Sequence, residues 1–255
     1  MSARNEPRAS EPDAADSGSE PACAIVTGAG SGIGRAIALQ LFGAGFRVAL
    51  VGRDQRKLAE TAAGAQAAHA LVVPADLSVP GEAARVGDLI LAQCPRVSVL
   101  INNAADVALA TVAETSDTLL RHTLEVNFVS HWVLVSRLWA TFVRRGGGCV
   151  VSLSSLAVAE SMPGLSAYCA SKAALETLTR AIVYEGAPVN IRAYCVVPGA
   201  VDTPLLRRLI AQGLEAPVAP LSPDTVAAVV LACVRNEHPA DGRLIEVPGE
   251  HDRRV

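Results

Sequence analysis

Residues 25–41 read IVTGAGSGIGRAIALQL. An apolar β-branched run closes on Thr27, glycines stand at 28, 30, 32 and 34, and an Ala/Leu-rich stretch of helical period follows at once. Strand, glycine turn and helix in direct succession make a unit of a parallel sheet. At such a junction glycine lets the backbone turn sharply, approach a pyrophosphate closely and pack the helix onto the strand.

Outward from that unit the same alternation continues. Short β-branched runs recur at 22–27 (ACAIVT), 47–51 (RVALV), 70–73 (ALVV), 97–101 (VSVLI), 149–153 (CVVSL), 189–196 (VNIRAYCV) and 243–247 (RLIEV). Helical stretches long enough for right-handed crossovers separate them. The expectation is an α/β fold: a single-domain, doubly wound, Rossmann-type parallel seven-stranded sheet flanked by helices over residues 22–255. Residues 1–21, polar and rich in proline and acidic groups, read as a disordered tail without the apolar core of a secretory signal. A long helix is expected from Ser116 to Arg145, with Trp132 and Trp139 seven apart on one face, packed inward rather than, as the alternative, in a subunit interface.

Composition narrows the function classes. Of 255 residues 51% are apolar, enough for a substantial core, and the net charge of −3 arises from 22 basic and 25 acidic residues without a basic block. A nucleic-acid partner is not expected. The six cysteines include no Cys-x-x-Cys, so free thiols in a reducing cytosol are expected and no metal site. The longest apolar run, FVSHWVLVSRLWATFV, is interrupted by His131 and Arg137, short of the roughly 18 uncharged residues of a membrane span. A soluble, cytoplasmic protein follows.

The stretch AYCASKAALE, residues 167–176, sets Tyr168 four positions before Lys172 in a chain with two lysines and three tyrosines. On a helix these positions share a face, so phenol and ammonium can address one point. A nearby cation is expected to lower a phenol pKa from about 10. A phenol tuned in this way can protonate a carbonyl oxygen as hydride arrives at carbon.

Several ordered motifs then carry a likeness: Thr27 to Gly34 as Thr-Gly-x-x-x-Gly-x-Gly, PADLS, LINNAAD, Asn127 in TLEVNFVSH, Ser155 thirteen residues before Tyr168, and VVPGAVDTPLL. Together they resemble the short-chain dehydrogenase/reductase family over residues 22 to about 205. The resemblance implies that Tyr168 gives the proton, Ser155 holds the substrate oxygen, Lys172 tunes the phenol and binds the nicotinamide ribose, and Asn127 holds a water that links the lysine to solvent. It implies cofactor contacts at Gly28, Gly30, Ser31, Gly32, Ile33 and Gly34, on the adenine side at Asp76 and Leu77, and at Asn103 and Ala104; a helix cap is an equally good reading of Asp76. It adds Tyr168, Lys172, Pro198, Gly199, Val201 and Thr203. An acidic residue at the tip of the second strand would bind a ribose 2′-hydroxyl, but here Gly52 is followed by Arg53, whose guanidinium suits a 2′-phosphate. NADPH is therefore favoured, with NAD(H) as the alternative, and Asp54 is assigned to capping the next helix.

The implied activity is an NAD(P)H-dependent oxidoreductase, in this chain an NADPH-dependent reductase of a ketone or diketone. The alternatives are an NAD-linked alcohol, sugar or steroid dehydrogenase and, from another class, a catalytically dead cofactor-binding regulator. Leu156, Val158, Met162, Leu165 and Leu205 are expected to line an apolar substrate pocket. Ala105 replaces the family's glycine. Some phrases also resemble the sepiapterin and benzil reductase branch, where an acidic residue of the last strand anchors a pterin, but Glu246 reads rather as a solvent-facing edge residue. The family likeness implies a homo-dimer or homo-tetramer, here a dimer through the long helix and the Tyr168 helix, although the terminal turn at Pro248 and Gly249 departs from the family pattern.

Overall fold

A computed structural model describes residues 21–66, 69–160, 162–240 and 242–249. The tail expected over 1–21 lies outside the described residues except for Pro21. Seven parallel strands form one sheet in the order β3-β2-β1-β4-β5-β6-β7. They are β1 Cys23–Thr27, β2 Arg47–Gly52, β3 Ala70–Pro74, β4 Val97–Asn102, β5 Gly148–Leu153, β6 Ile191–Pro198 and β7 Leu244–Val247. Each expected strand is present.

Both faces of the sheet are apolar because alternate residues supply two cores. Ala24 and Val26 of β1 face α1 (Gly32–Gly43), α2 (Gln55–Ala62) and α9 (Pro223–Val234), whereas Cys23 and Ile25 face the opposite layer. That layer consists of α3 (Glu82–Gln93), α5 (Ser130–Arg144) and α7 (Ser166–Gly186). Helix starts follow the capping chemistry: Asp54 accepts from Lys57 N at 3.2 Å, and Ser116, Thr203 and Ser222 cap α4 (Asp117–Leu124), α8 (Pro204–Ala211) and α9. A four-residue helix, α6 (Ala157–Glu160), lies between β5 and α7.

The helix expected from 116 to 145 is continuous but not uniform. Between α4 and α5 one wide π turn spans Glu125–Val129, with Ser130 N bonded to Glu125 O. Asn127 sits in that turn, and such turns re-aim side chains without ending a helix. The two tryptophans do not share an environment as expected. Trp139 packs partly buried against the core, while Trp132 is 52% exposed beside Phe128 because no neighbouring element covers it.

The strand order reverses direction between β1 and β4, and there the connections that follow the two strands leave to opposite faces of the sheet, which opens a crevice at its C-terminal edge. Among the described residues no helix is long and apolar enough to cross a membrane.

Candidate active site

A cleft of about 850 Å³ opens at that crevice. It is lined by every candidate cofactor residue from Gly28 to Thr203, by Ser155, Tyr168 and Lys172, and by Leu156, Met162, Leu165 and Leu205. Two expected residues lie elsewhere: Asn127 is buried behind the wall, and Val158 turns away on the short helix α6. Glu246 is exposed on the edge strand, as expected.

The glycine turn has no room for side chains. Gly28 has a φ of +70°, and a Cβ there would stand 2.7 Å from Asn103 Nδ2; at Gly34 it would stand 2.3 Å from Gly28 O. Thr27 pins the turn to the end of β4. Its hydroxyl accepts from Asn103 N and Ala104 N at 2.9 Å each, and Asn103 Nδ2 donates to Thr27 O at 2.7 Å. Ser31 begins α1 without a side-chain cap bond, and no acidic residue lies in the first turn. Bare amides at a helix N-terminus facing a cleft suit a pyrophosphate, so these residues fit a dinucleotide.

Where β2 ends, Arg53 is exposed, and Lys57 in the first turn of α2 lines the same wall. The sequence reading missed Lys57, whose signal was its spacing of four from Arg53. Asp76 accepts from Ser78 N and Ser78 Oγ at 3.0 and 2.7 Å, a local turn rather than a helix cap. Burial opposes its ionisation, but those two bonds and the Arg53 charge hold its carboxyl below the usual range. Ala105 does not have the positive φ that would call for glycine, so the alanine is accommodated.

At the other end Ser155, two residues beyond β5, lines the cleft with Tyr168, and its Oγ accepts from Ala157 N at 3.3 Å. Lys172 Nζ lies 5.8 Å from the centre of the Tyr168 ring and donates to Leu153 O at 2.7 Å. The electrostatics correct the sequence expectation. Burial pushes the phenol up to about 12, opposed by the Ser155 hydroxyl, and burial pushes the lysine down to about 8. The ammonium is directed to the Leu153 carbonyl, and burial sets the direction of the phenol shift.

Asn127 is fully buried and engaged by protein groups. Its Oδ1 accepts from Asp106 N at 2.8 Å, and its Nδ2 donates to Asp106 O and Ser171 Oγ at 2.9 Å each. Ser171 Oγ in turn donates to Tyr168 O at 2.6 Å. A further pair was not foreseen: Arg208 of α8 donates to Asp106 Oδ1 and, at 3.0 Å, to Val107 O, while His122 Nε2 lies 3.0 Å from Asp106 Oδ2. Half-burial opposes ionisation of Asp106, but the His122 and Arg208 bonds keep its carboxyl below the usual range. No group of three or more His, Cys, Asp or Glu among the described residues could hold a metal.

Residues 22–213 match the family model described as short chain dehydrogenase. A short-chain type dehydrogenase/reductase of Picea abies is 34% identical over 191 residues, covering 71% of this chain and 70% of that protein. Two solved structures align over 90% of this chain. One, assigned as an NAD(P)-dependent gluconate 5-dehydrogenase from Beutenbergia cavernae with NADP bound at low occupancy, is 31% identical with a TM-score of 0.79 over 96% of its length. The other, a 3-oxoacyl-(acyl-carrier-protein) reductase from Agrobacterium tumefaciens with NADP bound, is 26% identical with a TM-score of 0.78 over 94% of its length.

Proposed function

The chain belongs to the short-chain dehydrogenase family of NAD(P)-dependent oxidoreductases, and on that premise we propose that it reduces the carbonyl of a ketone or diketone with NADPH. The observation that carries this reading is the convergence of Ser155, Tyr168 and buried Lys172 on the same cleft as the glycine turn. NADPH, when bound, supplies the hydride. Gly28 to Gly34 would receive its pyrophosphate, with Asn103 and Ala104 holding the turn in place. Asp76 and Leu77 would flank the adenine, Pro198, Gly199, Val201 and Thr203 would form the nicotinamide side, and Lys172 would also bind the ribose.

Ser155 Oγ and Tyr168 Oη donate to the substrate oxygen. A phenol at about 12 is protonated throughout the neutral range, so Tyr168 Oη has a proton to give as negative charge develops on that oxygen. Lys172 Nζ, held by Leu153 O, places a positive charge beside the phenolate that remains. Asn127 supports the site by fixing Asp106 and, through Ser171, the Tyr168 backbone.

Arg53 and Lys57 at the tip of β2 favour a 2′-phosphate, since the nearby Asp54 is occupied in capping α2. The apolar wall of Leu156, Met162, Leu165 and Leu205 favours an apolar or aromatic carbonyl compound. Similarity to the gluconate 5-dehydrogenase supports a second reading, oxidation of a sugar acid or polyol. A homo-dimer through α5 and α7 would cover the exposed Trp132. The test is calorimetric titration with NADPH and NADH, then a carbonyl and alcohol panel with the preferred cofactor. Tighter NADPH binding with turnover of aryl ketones is expected; NADH preference with turnover of sugar acids alone would contradict it.

A further inference from the structure

His131 stands on α5 one turn beyond Asn127 and is fully buried. Its Nδ1 is 3.0 Å from Asn127 O and its Nε2 is 3.4 Å from Thr27 Oγ1. These partners determine where the ring carries its hydrogen. A carbonyl oxygen only accepts, so Nδ1 bears hydrogen. Thr27 Oγ1 already accepts from the Asn103 and Ala104 amides, so both of its lone pairs are used. Its single hydrogen lies between Ile101 O, at 3.1 Å, and His131 Nε2, at 3.4 Å, and is shared by these two acceptors; the oxygen has nothing with which to receive a hydrogen from that nitrogen. The ring is therefore the neutral Nδ1–H tautomer, and protonating Nε2 would oppose a hydrogen to a saturated hydroxyl. Burial, with the Lys172 charge, pushes the imidazole down to about 3, in the same direction.

Both partners anchor parts of the site. Thr27 closes β1 and holds the glycine turn against Asn103 and Ala104. Asn127 lies in the π turn and reaches Tyr168 through Ser171. We propose that His131 is a positioning residue, a neutral imidazole brace that fixes the Asn127 turn against Thr27 so that the proton donor and the cofactor turn keep one register. The brace rests on the reading of Tyr168 and Asn127 given above, and it assigns a role to a side chain outside the cleft.

Two variants separate bracing from packing. His131→Asn keeps a donor where Nδ1 stands; His131→Leu fills a similar volume with no polar atom. Bracing predicts that kcat falls about tenfold in the Leu variant, the equivalent of one hydrogen bond, and stays within about threefold of wild type in the Asn variant, with the substrate KM little changed in either. The reverse order, with Leu more active than Asn, would overturn the brace, because an apolar residue packs a buried site better. Nitrogen-detected NMR of the wild-type imidazole, with and without NADPH, gives a readout independent of turnover and of variant folding. A single Nδ1–H at about pH 7 supports the brace; an Nε2–H or a doubly protonated ring overturns it. If wild-type protein reduces no carbonyl compound, the functional reading fails by itself, and the NMR still decides the brace.

Discussion

Asn127 clasps Asp106 by both ends of its backbone: Oδ1 accepts from Asp106 N at 2.8 Å and Nδ2 donates to Asp106 O at 2.9 Å. The side chain thus holds the loop after β4. Asn127→Ala would leave a buried amide, a carbonyl and the Ser171 hydroxyl short of partners. A loss of about 3 kcal/mol in urea unfolding is expected, together with a large fall in turnover. An unchanged unfolding midpoint would show that the clasp contributes nothing.

Gly34→Ala tests the turn. The added methyl would lie 2.3 Å from Gly28 O and 2.5 Å from Asn103 Nδ2, so the turn must open. The NADPH Kd should rise at least about tenfold, measured by titration. Gly43→Ala is the control: at the end of α1 its Cβ meets nothing within 4 Å, and a helix there should gain about 0.5 kcal/mol with no effect on binding.

The Arg208–Asp106 pair ties α8, which carries Leu205 and Leu209 of the cleft wall, to the loop held by Asn127. Arg208→Gln should release that wall while costing less than about 1 kcal/mol of stability, since the arginine side chain is 43% exposed. The expected kinetic signature is a KM raised several-fold with kcat nearly constant. A fall confined to kcat would argue against a role in holding the pocket.

Acid should destabilise the fold before the carboxylates titrate. The His131 pKa is depressed to about 3 from 6.5, so between those values the unfolded chain binds a proton that the folded chain refuses. Stability therefore falls as the pH is lowered through 6.5 and on towards 3. From pH 7 to pH 5.5 the loss should be about 1 kcal/mol in urea unfolding. His131→Leu, with nothing to titrate there, should show a correspondingly flatter profile, and an identical slope would remove His131 as the cause.

The strands were legible because runs such as VALV and CVVSL are buried on both faces and need no alternation. Tyr168 and Lys172 were legible because lysine is scarce and their spacing fixes a shared helix face. Periodicity shows which way a tryptophan points but not where the neighbouring element ends, so Trp132 was misjudged. One wide turn barely shifts a hydrophobic period, which hid the π turn at Asn127. The Arg208–Asp106 pair joins positions 102 apart, and only folding brings them together. The rise in the phenol pKa depends on desolvation, a quantity that spacing does not carry.

The most direct measurement is NADPH oxidation with a panel of ketones and diketones by wild-type protein and Tyr168→Phe, with NADPH affinity determined on the same samples. The phenyl ring preserves the packing of the site and removes only the donor. Wild-type turnover of at least one carbonyl compound is predicted, falling by about 10³-fold in the variant while the NADPH Kd stays within about threefold. Turnover by Tyr168→Phe at the wild-type rate would contradict the assignment of Tyr168 as the proton donor.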